Sequence, residues 1–158
     1  MFVVYEMRFE KKVVPSSEIE CIPFEDETFG DYQDQYKEAY NAAFRPMREA
    51  LDIKPYDWFS EDGADLKENP DVYLLIGEGQ LIGSVGCFGN EIDDLFVCDK
   101  FRNRGYGRKL LIWAMNNIFN KGYGDIRLHV ADWNESAVQM YLREGFVIFQ
   151  KEEIKYDL

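Results

Sequence analysis

Two interleaved rows, Phe2-Val4-Glu6 and Val3-Tyr5-Met7, repeat with a period of two and predict a strand near residues 2–9. Pro15-Ser16-Ser17 marks a turn, and Ile19–Phe24 is long and apolar enough for a second strand. Glu25–Asp31 is acidic and reads as a loop. From Asp31 the spacing changes to a helical one: Tyr36, Tyr40, Ala43, Phe44 and Met47 share one face. Pro46 is expected to end or kink that helix near Arg45. Pro55, Gly63 and Pro70 then break the chain into short pieces, with a short helix expected within Asp65–Asn69.

The second half is more regular. Val72–Ile76 and Gln80–Phe88 flank Gly77-Glu78-Gly79 and predict a β-hairpin. Gly83 and Gly86 inside the second arm point to a bulge or a close backbone approach. Ile92–Val97 is the next strand, but Ile92, Leu95 and Val97 do not alternate strictly. Either one extra residue near Asp93-Asp94 forms a β-bulge that returns all three to one face, or the strand is buried on both faces, as apolar Phe96 would allow. A helix from Gly105 to Asn120 carries the stripe Leu110, Leu111, Ala114, Met115 and Ile118, and Gly122 and Gly124 follow its end. Ile126–Val130 is a strand. Asn134 caps a further helix, with Glu135 in its first turn and Gly145 closing it. Phe146–Gln150 and Ile154–Asp157 are the last predicted strands. The sum is a single α/β domain over 1–158, with a mixed, mostly antiparallel sheet of six or seven strands flanked by helices.

Composition narrows the class. Apolar residues make up 46% of the 158 and are spread throughout, so the chain can bury a full core. No apolar run is long enough to span a bilayer, and the first dozen residues lack the features of a signal peptide. Cys21, Cys87 and Cys98 form an odd set without metal-ligand spacing, so no metal is expected and a reducing cytoplasm is the simplest setting. A formal charge of −12 argues against nucleic acid as a partner. Against that charge, Lys100, Arg102, Arg104, Arg108 and Lys109 stand out, with only Asp99 among them. Glycines at 105 and 107 let backbone approach a ligand, and a helix start presents unpaired N–H groups. The combination suits phosphate oxygens; it equally describes an ordinary strand–loop–helix joint with solvated cations.

Arg102-x-x-Gly105-x-Gly107 resembles the R/Q-x-x-G-x-G/A pyrophosphate loop of the GNAT superfamily of acyl-CoA-dependent N-acetyltransferases. Ile92-x-x-Leu95-x-Val97 resembles the strand before that loop, and Leu110-Leu111 the leucine pair after it. Asn134-x-x-Ala137-x-x-x-Tyr141-x-x-x-Gly145-Phe146 resembles the family's next motif. Asp99 stands where the family often has proline and Asn103 where it often has glycine; asparagine tolerates positive φ. The resemblance covers about Val72 to the C-terminus. It implies a splayed strand pair holding acetyl-CoA, with residues 72–158 as the acyl-CoA core and 1–71 as the substrate side. It places cosubstrate contacts at Leu95, Phe96, Val97, Arg102, Asn103, Arg104, Gly105, Tyr106, Gly107, Arg108, Asn134 and Ala137.

The resemblance also assigns chemistry. Tyr141 falls where a tyrosine donates a proton to the CoA sulfur, and a phenol is protonated at neutral pH. Glu91 falls where a strand glutamate acts as base, with Asp93, Asp94 or water as alternatives; His129 is expected to be a plain strand residue. Backbone amides near Asp94-Leu95 would polarise the carbonyl. Residues 25–71 mix aromatics with carboxylates, which suits a cationic amine through charge and cation–π attraction. The implied activity is direct acetyl transfer to a primary amine of a small molecule or peptide. A non-catalytic acyl-CoA-binding regulator is the alternative, and the C-terminal strands could support a homodimer.

Overall fold

The structure is a computed structural model and describes residues 1–10 and 13–155. Seven strands form one sheet: β1 (Phe2–Phe9), β2 (Ile22–Phe24), β3 (Asn69–Gly77), β4 (Gln80–Phe88), β5 (Glu91–Val97), β6 (Arg127–Ala131) and β7 (Phe146–Ile154). Their spatial order is β2-β3-β4-β5-β6-β1-β7. Every neighbouring pair is antiparallel except β5 and β6. The first strand of the chain therefore lies between the last two. Helix α1 (Asp26–Ala50) packs with Phe24, Val72, Leu74, Leu81 and Phe96 in one apolar cluster. Helices α2 (Tyr106–Asn120) and α3 (Glu135–Glu144) share the other cluster, with Met7, Val85, Ile92 and Leu128.

Several sequence expectations change. Glu25–Asp31 is not a loop: α1 begins at Asp26. Glu25 accepts from the third helical amide while the Thr28 hydroxyl accepts from the Glu25 amide, and Asp26 and Glu27 face the positive end of the helix. Pro46 does not end α1, which runs on to Ala50. Its last turn is held by Leu51 N to Met47 O, Ile53 N to Arg48 O, and the Arg45 ion pairs with Glu49 and Asp57. No helix forms in Asp65–Asn69; Leu66 packs on the α1 cluster, and Asn69 already pairs with Phe24. The two expected C-terminal strands are one, because β7 follows β1 along its length and absorbs a register shift opposite Glu6/Met7. Asp157 lies outside the described residues.

Other features appear as read. The β3–β4 hairpin closes through Glu78 (φ 53°) and Gly79 (φ 73°), both left-handed as a type I′ turn requires. On β5 the bulge and the two-sided burial occur together. Asp93 pairs with Gly86 and Phe96 with Ser84, so three steps on β5 face two on β4. Asp94 takes up the extra step at φ 50°. Ile92, Leu95 and Val97 then meet the α2 cluster, while Phe96 enters the α1 cluster.

Candidate active site

Strands β5 and β6 pair only at Glu91↔Arg127 and Ile92↔Leu128. Beyond Ile92 the bulge turns β5 away, and a cavity of about 280 Å³ opens between the strands. Its walls bring together Asp93, Asp94 and Leu95 of β5, His129–Ala131 at β6, and Asn134 and Tyr141 of the α3 segment. Helix α1 roofs it with Tyr40, Phe44, Met47 and Arg48, and β1 supplies Phe2 and Val4. A second cavity, lined by Leu95, Phe96, Val97, Arg102, Trp133 and Asn134, runs from the first toward the loop before α2. The two share Phe44, Met47, Leu95 and Asn134.

That loop has the form of an anion cradle. Asn103 (φ 62°) and Gly105 (φ 82°) are both left-handed. The first helical bond of α2 runs from Lys109 N to Gly105 O, which leaves the amides of Tyr106, Gly107 and Arg108 without intrahelical acceptors. A side chain on Gly105 would meet nothing within 4 Å, so glycine serves the backbone conformation there. The cations divide. Arg108 pairs with Glu144 (2.5 Å), Lys109 with Glu18 (3.8 Å), and Lys100 donates to Gln80 (3.2 Å). Arg102 leans on Asp99 at 3.1 Å. Arg104 lies over the Phe101 ring and has no ion-pair partner among the described residues. Such a loop fits a diphosphate, with Arg104 the guanidinium free of an ion pair and Arg102 held beside the loop by Asp99.

Tyr141 sits one helical turn after Ala137, buried beside Phe146. Its hydroxyl has no hydrogen-bond partner among the described residues. Burial first, then the charge of Asp93, pushes its pKa up to about 12, so it holds its proton. Asn134 caps α3 through its side-chain oxygen, which accepts from Ala137 N at 3.4 Å. Its side-chain amide remains available to the cavity. The Phe96 ring turns away from the gap to face Tyr36 and Tyr40, leaving only its backbone for a ligand.

The carboxylates separate by environment. Asp94 is the most strongly held: the Tyr40 hydroxyl donates to its Oδ1 at 3.2 Å. Burial and then the Asp93 charge raise its pKa to about 6, against the opposing pull of Tyr40 and Arg48. The Asp94 amide donates to the Asp93 carboxylate at 2.8 Å. Glu91 does not line the cavity; it bonds Nδ1 of His129, whose Nε2 lies 3.6 Å from Glu6. His129, expected to be a plain strand residue, is part of the cavity wall.

A profile of the Acetyltransferase (GNAT) family matches residues 26–146. The chain belongs to that family. Among curated relatives, a thialysine N-epsilon-acetyltransferase of Mus musculus is 36% identical over 47% of this chain and 55% of its own length. An L-ornithine N5-acetyltransferase of Arabidopsis thaliana is 30% identical over 40% of this chain and 28% of its own. The chain thus spans about half or less of the curated relatives it matches. A GNAT acetyltransferase from Colwellia psychrerythraea superposes with a TM-score of 0.69 at 14% identity, covering 94% of this chain and 53% of that one. One from Novosphingobium aromaticivorans gives 0.64 at 16%, covering 95% and 61%. At these identities the likeness is one of fold.

For this GNAT chain, sequence reasoning missed the residues that reach the cavity from other parts of the sheet. Phe2, Val4, Arg48 and His129 carry no local motif. Tyr40 and Phe44 were visible as a helical stripe, but the spacing alone reads as core. Among the described residues, no group of three or more His, Cys, Asp or Glu side chains could hold a metal ion, and no helix is long and apolar enough to cross a membrane.

Proposed function

We propose that the chain transfers an acetyl group from acetyl-CoA to a primary amine, with the cosubstrate's diphosphate on the loop of residues 102–107 and the free amides at the start of α2, and its thioester in the gap between β5 and β6. The observation that carries this reading is the convergence of Asp94 and Tyr141, one poised to accept a proton and one to give it, on the walls of a single cavity. Asp94 takes a proton from the ammonium or attacking amine. The amine nitrogen bonds to the carbonyl carbon as the carbon–sulfur bond breaks. Tyr141 gives its proton to the departing thiolate and is reprotonated, through solvent, by the second proton that the nitrogen sheds as the amide forms. Leu95 N is assigned to the carbonyl oxygen, since the Asp94 amide is already bonded to Asp93. Glu91, from which the base was first expected, acts instead through His129, holding its ring in the wall.

The acceptor is a cationic amine. Asp93 and Asp94 attract it by charge, and Tyr40 and Phe44 offer ring faces. The curated relatives act, by name, on the N-epsilon of thialysine and the N5 of L-ornithine, amines of the same kind. The described chain works as one unit, with residues 1–71 giving the acceptor side through Phe2, Val4, Tyr40, Phe44, Met47 and Arg48. Edge strand β7 leaves Val147, Ile148 and Phe149 exposed, and a homodimer through this edge would cover them. The three free cysteines suit a reducing cytoplasm. An amine panel read by thiol release, with calorimetric titration of acetyl-CoA, tests the activity. Binding without transfer to any amine would make the chain a binding module instead. Light scattering tests assembly: a dimer mass that falls to monomer in Phe149→Glu supports the β7 edge, and a monomeric wild type refutes it.

A further inference from the structure

Arg48 lies on the face of α1 that roofs the cavity, two turns beyond Tyr40. Among the described residues Arg8 pairs with Glu6, Arg45 with Glu49 and Asp57, Arg102 with Asp99 and Arg108 with Glu144, while Arg48, Arg104, Arg127 and Arg143 have no ion pair; of these four only Arg48 lines the cavity. Arg48 has no carboxylate partner among the described residues. It is nevertheless held. Its Nε donates to the Pro55 carbonyl at 2.8 Å, and its guanidinium lies over the Trp58 ring at 4.9 Å. One edge of the guanidinium is thus tied to backbone and one face is covered. The terminal nitrogens, which offer the fork geometry that matches a carboxylate, are left over.

Its place argues against a role for the cosubstrate's phosphates. The phosphate loop opens into the second cavity, which Arg102 lines and Arg48 does not. Arg48 belongs to the cavity of Asp94 and His129, and its charge is felt by Asp94. The rise from Tyr40 to Arg48 along α1 is about 12 Å. Asp94, bonded to Tyr40, and Arg48 thus bring a negative and a positive group to one chamber from points about two helical turns apart along α1. Phe44, Met47, Val4 and Ile53 supply apolar wall between them.

We propose that Arg48 recognises a carboxylate on the acceptor, so that the acceptor class is an amino acid whose distal amine is separated from its carboxylate by several methylenes. The proposal rests on the acetyltransferase reading. The methylenes lie along Phe44 and Met47, the ammonium reaches Asp94, and the carboxylate takes the bidentate contact at Arg48. A diamine of the same length would place a second cation against Arg48, and like charges repel.

The test compares acceptors that differ only in the carboxylate: L-ornithine against putrescine and L-lysine against cadaverine, at saturating acetyl-CoA. Wild type should show kcat/KM about 10- to 100-fold higher for the amino acids, the weight of one charged hydrogen-bonded contact. In Arg48→Gln the ratio should fall toward one, mainly through KM for the amino acid, and Arg48→Lys should restore part of it. Thermal unfolding of each variant checks that the Trp58 contact has not been lost with the fold. A wild-type ratio near one, or a ratio unchanged in Arg48→Gln, overturns the proposal. If no amine is acetylated, the transferase reading fails, and calorimetry on the CoA-saturated chain still decides. Tighter binding of L-ornithine than putrescine, lost in Arg48→Gln, upholds carboxylate recognition, and equal binding overturns it.

Discussion

The Tyr40 hydroxyl donates to Oδ1 of Asp94 across 3.2 Å, joining the middle of α1 to the left-handed residue of the β5 bulge. This bond stabilises the charged carboxylate, against the burial that disfavours it. In the role of base proposed for it, Asp94 must be ionised, so kcat/KM should fall as pH drops through about 6. Tyr40→Phe removes a bond that lowers the pKa, and the acid limb should move to higher pH. Asp94→Asn should abolish that limb and reduce turnover roughly 10²–10⁴-fold. A pH–rate profile of the three proteins with one amine checks this; an unmoved limb in Tyr40→Phe would break the link.

Tyr141→Phe keeps the packing against Phe146 and removes the proton. Turnover should drop by roughly 10²–10⁴ while acetyl-CoA affinity stays near wild type. A wild-type rate under conditions where chemistry is limiting would make the tyrosine structural.

Gly105→Val should weaken acetyl-CoA binding strongly. The position is at φ 82°, which a β-branched residue resists, although the protein itself leaves the space open. The cost therefore falls on the loop and on whatever the loop holds. Thermal unfolding of the variant, with calorimetric titration well below its unfolding midpoint, separates lost binding from lost fold.

Gly83→Ala tests packing alone. The added carbon would lie 2.6 Å from the Phe96 carbonyl oxygen and 2.8 Å from Leu110 Cδ1. Backbone oxygen cannot yield cheaply, so a loss of about 1–3 kcal/mol is expected in denaturant unfolding.

What could be read in the sequence was what depends on neighbours along the chain. The missed alternation at Ile92, Leu95 and Val97 announced the bulge, Asn103 fitted its left-handed place, and Gly77-Glu78-Gly79 announced the hairpin. What was hidden depends on partners distant in sequence or on unusual local chemistry. The cap of α1 reverses the usual order of its residues, with glutamate before threonine, so Glu25–Asp31 looked like an acidic loop. Glu91, His129 and Glu6 come from three strands, and no spacing along the chain relates them. Arg48 belongs to no motif, and its hold on Pro55 and Trp58 exists only in the folded chain.

Strand β1 between β6 and β7 has a bearing on how the chain reaches this shape. Val4 pairs with Ala131 and Phe9 with Phe146, so its partners are synthesised long after it. On the ribosome β1 waits with both edges open, while β3, β4 and β5 can zip together as local hairpins. Such distant pairing raises contact order and slows the final docking, and a waiting apolar strand is open to wrong partners. Phe2 and Val4 are part of the cavity wall, so the cavity is completed only in that last step. Refolding followed by β-sheet signal and by regained ligand binding should therefore show the second lagging the first.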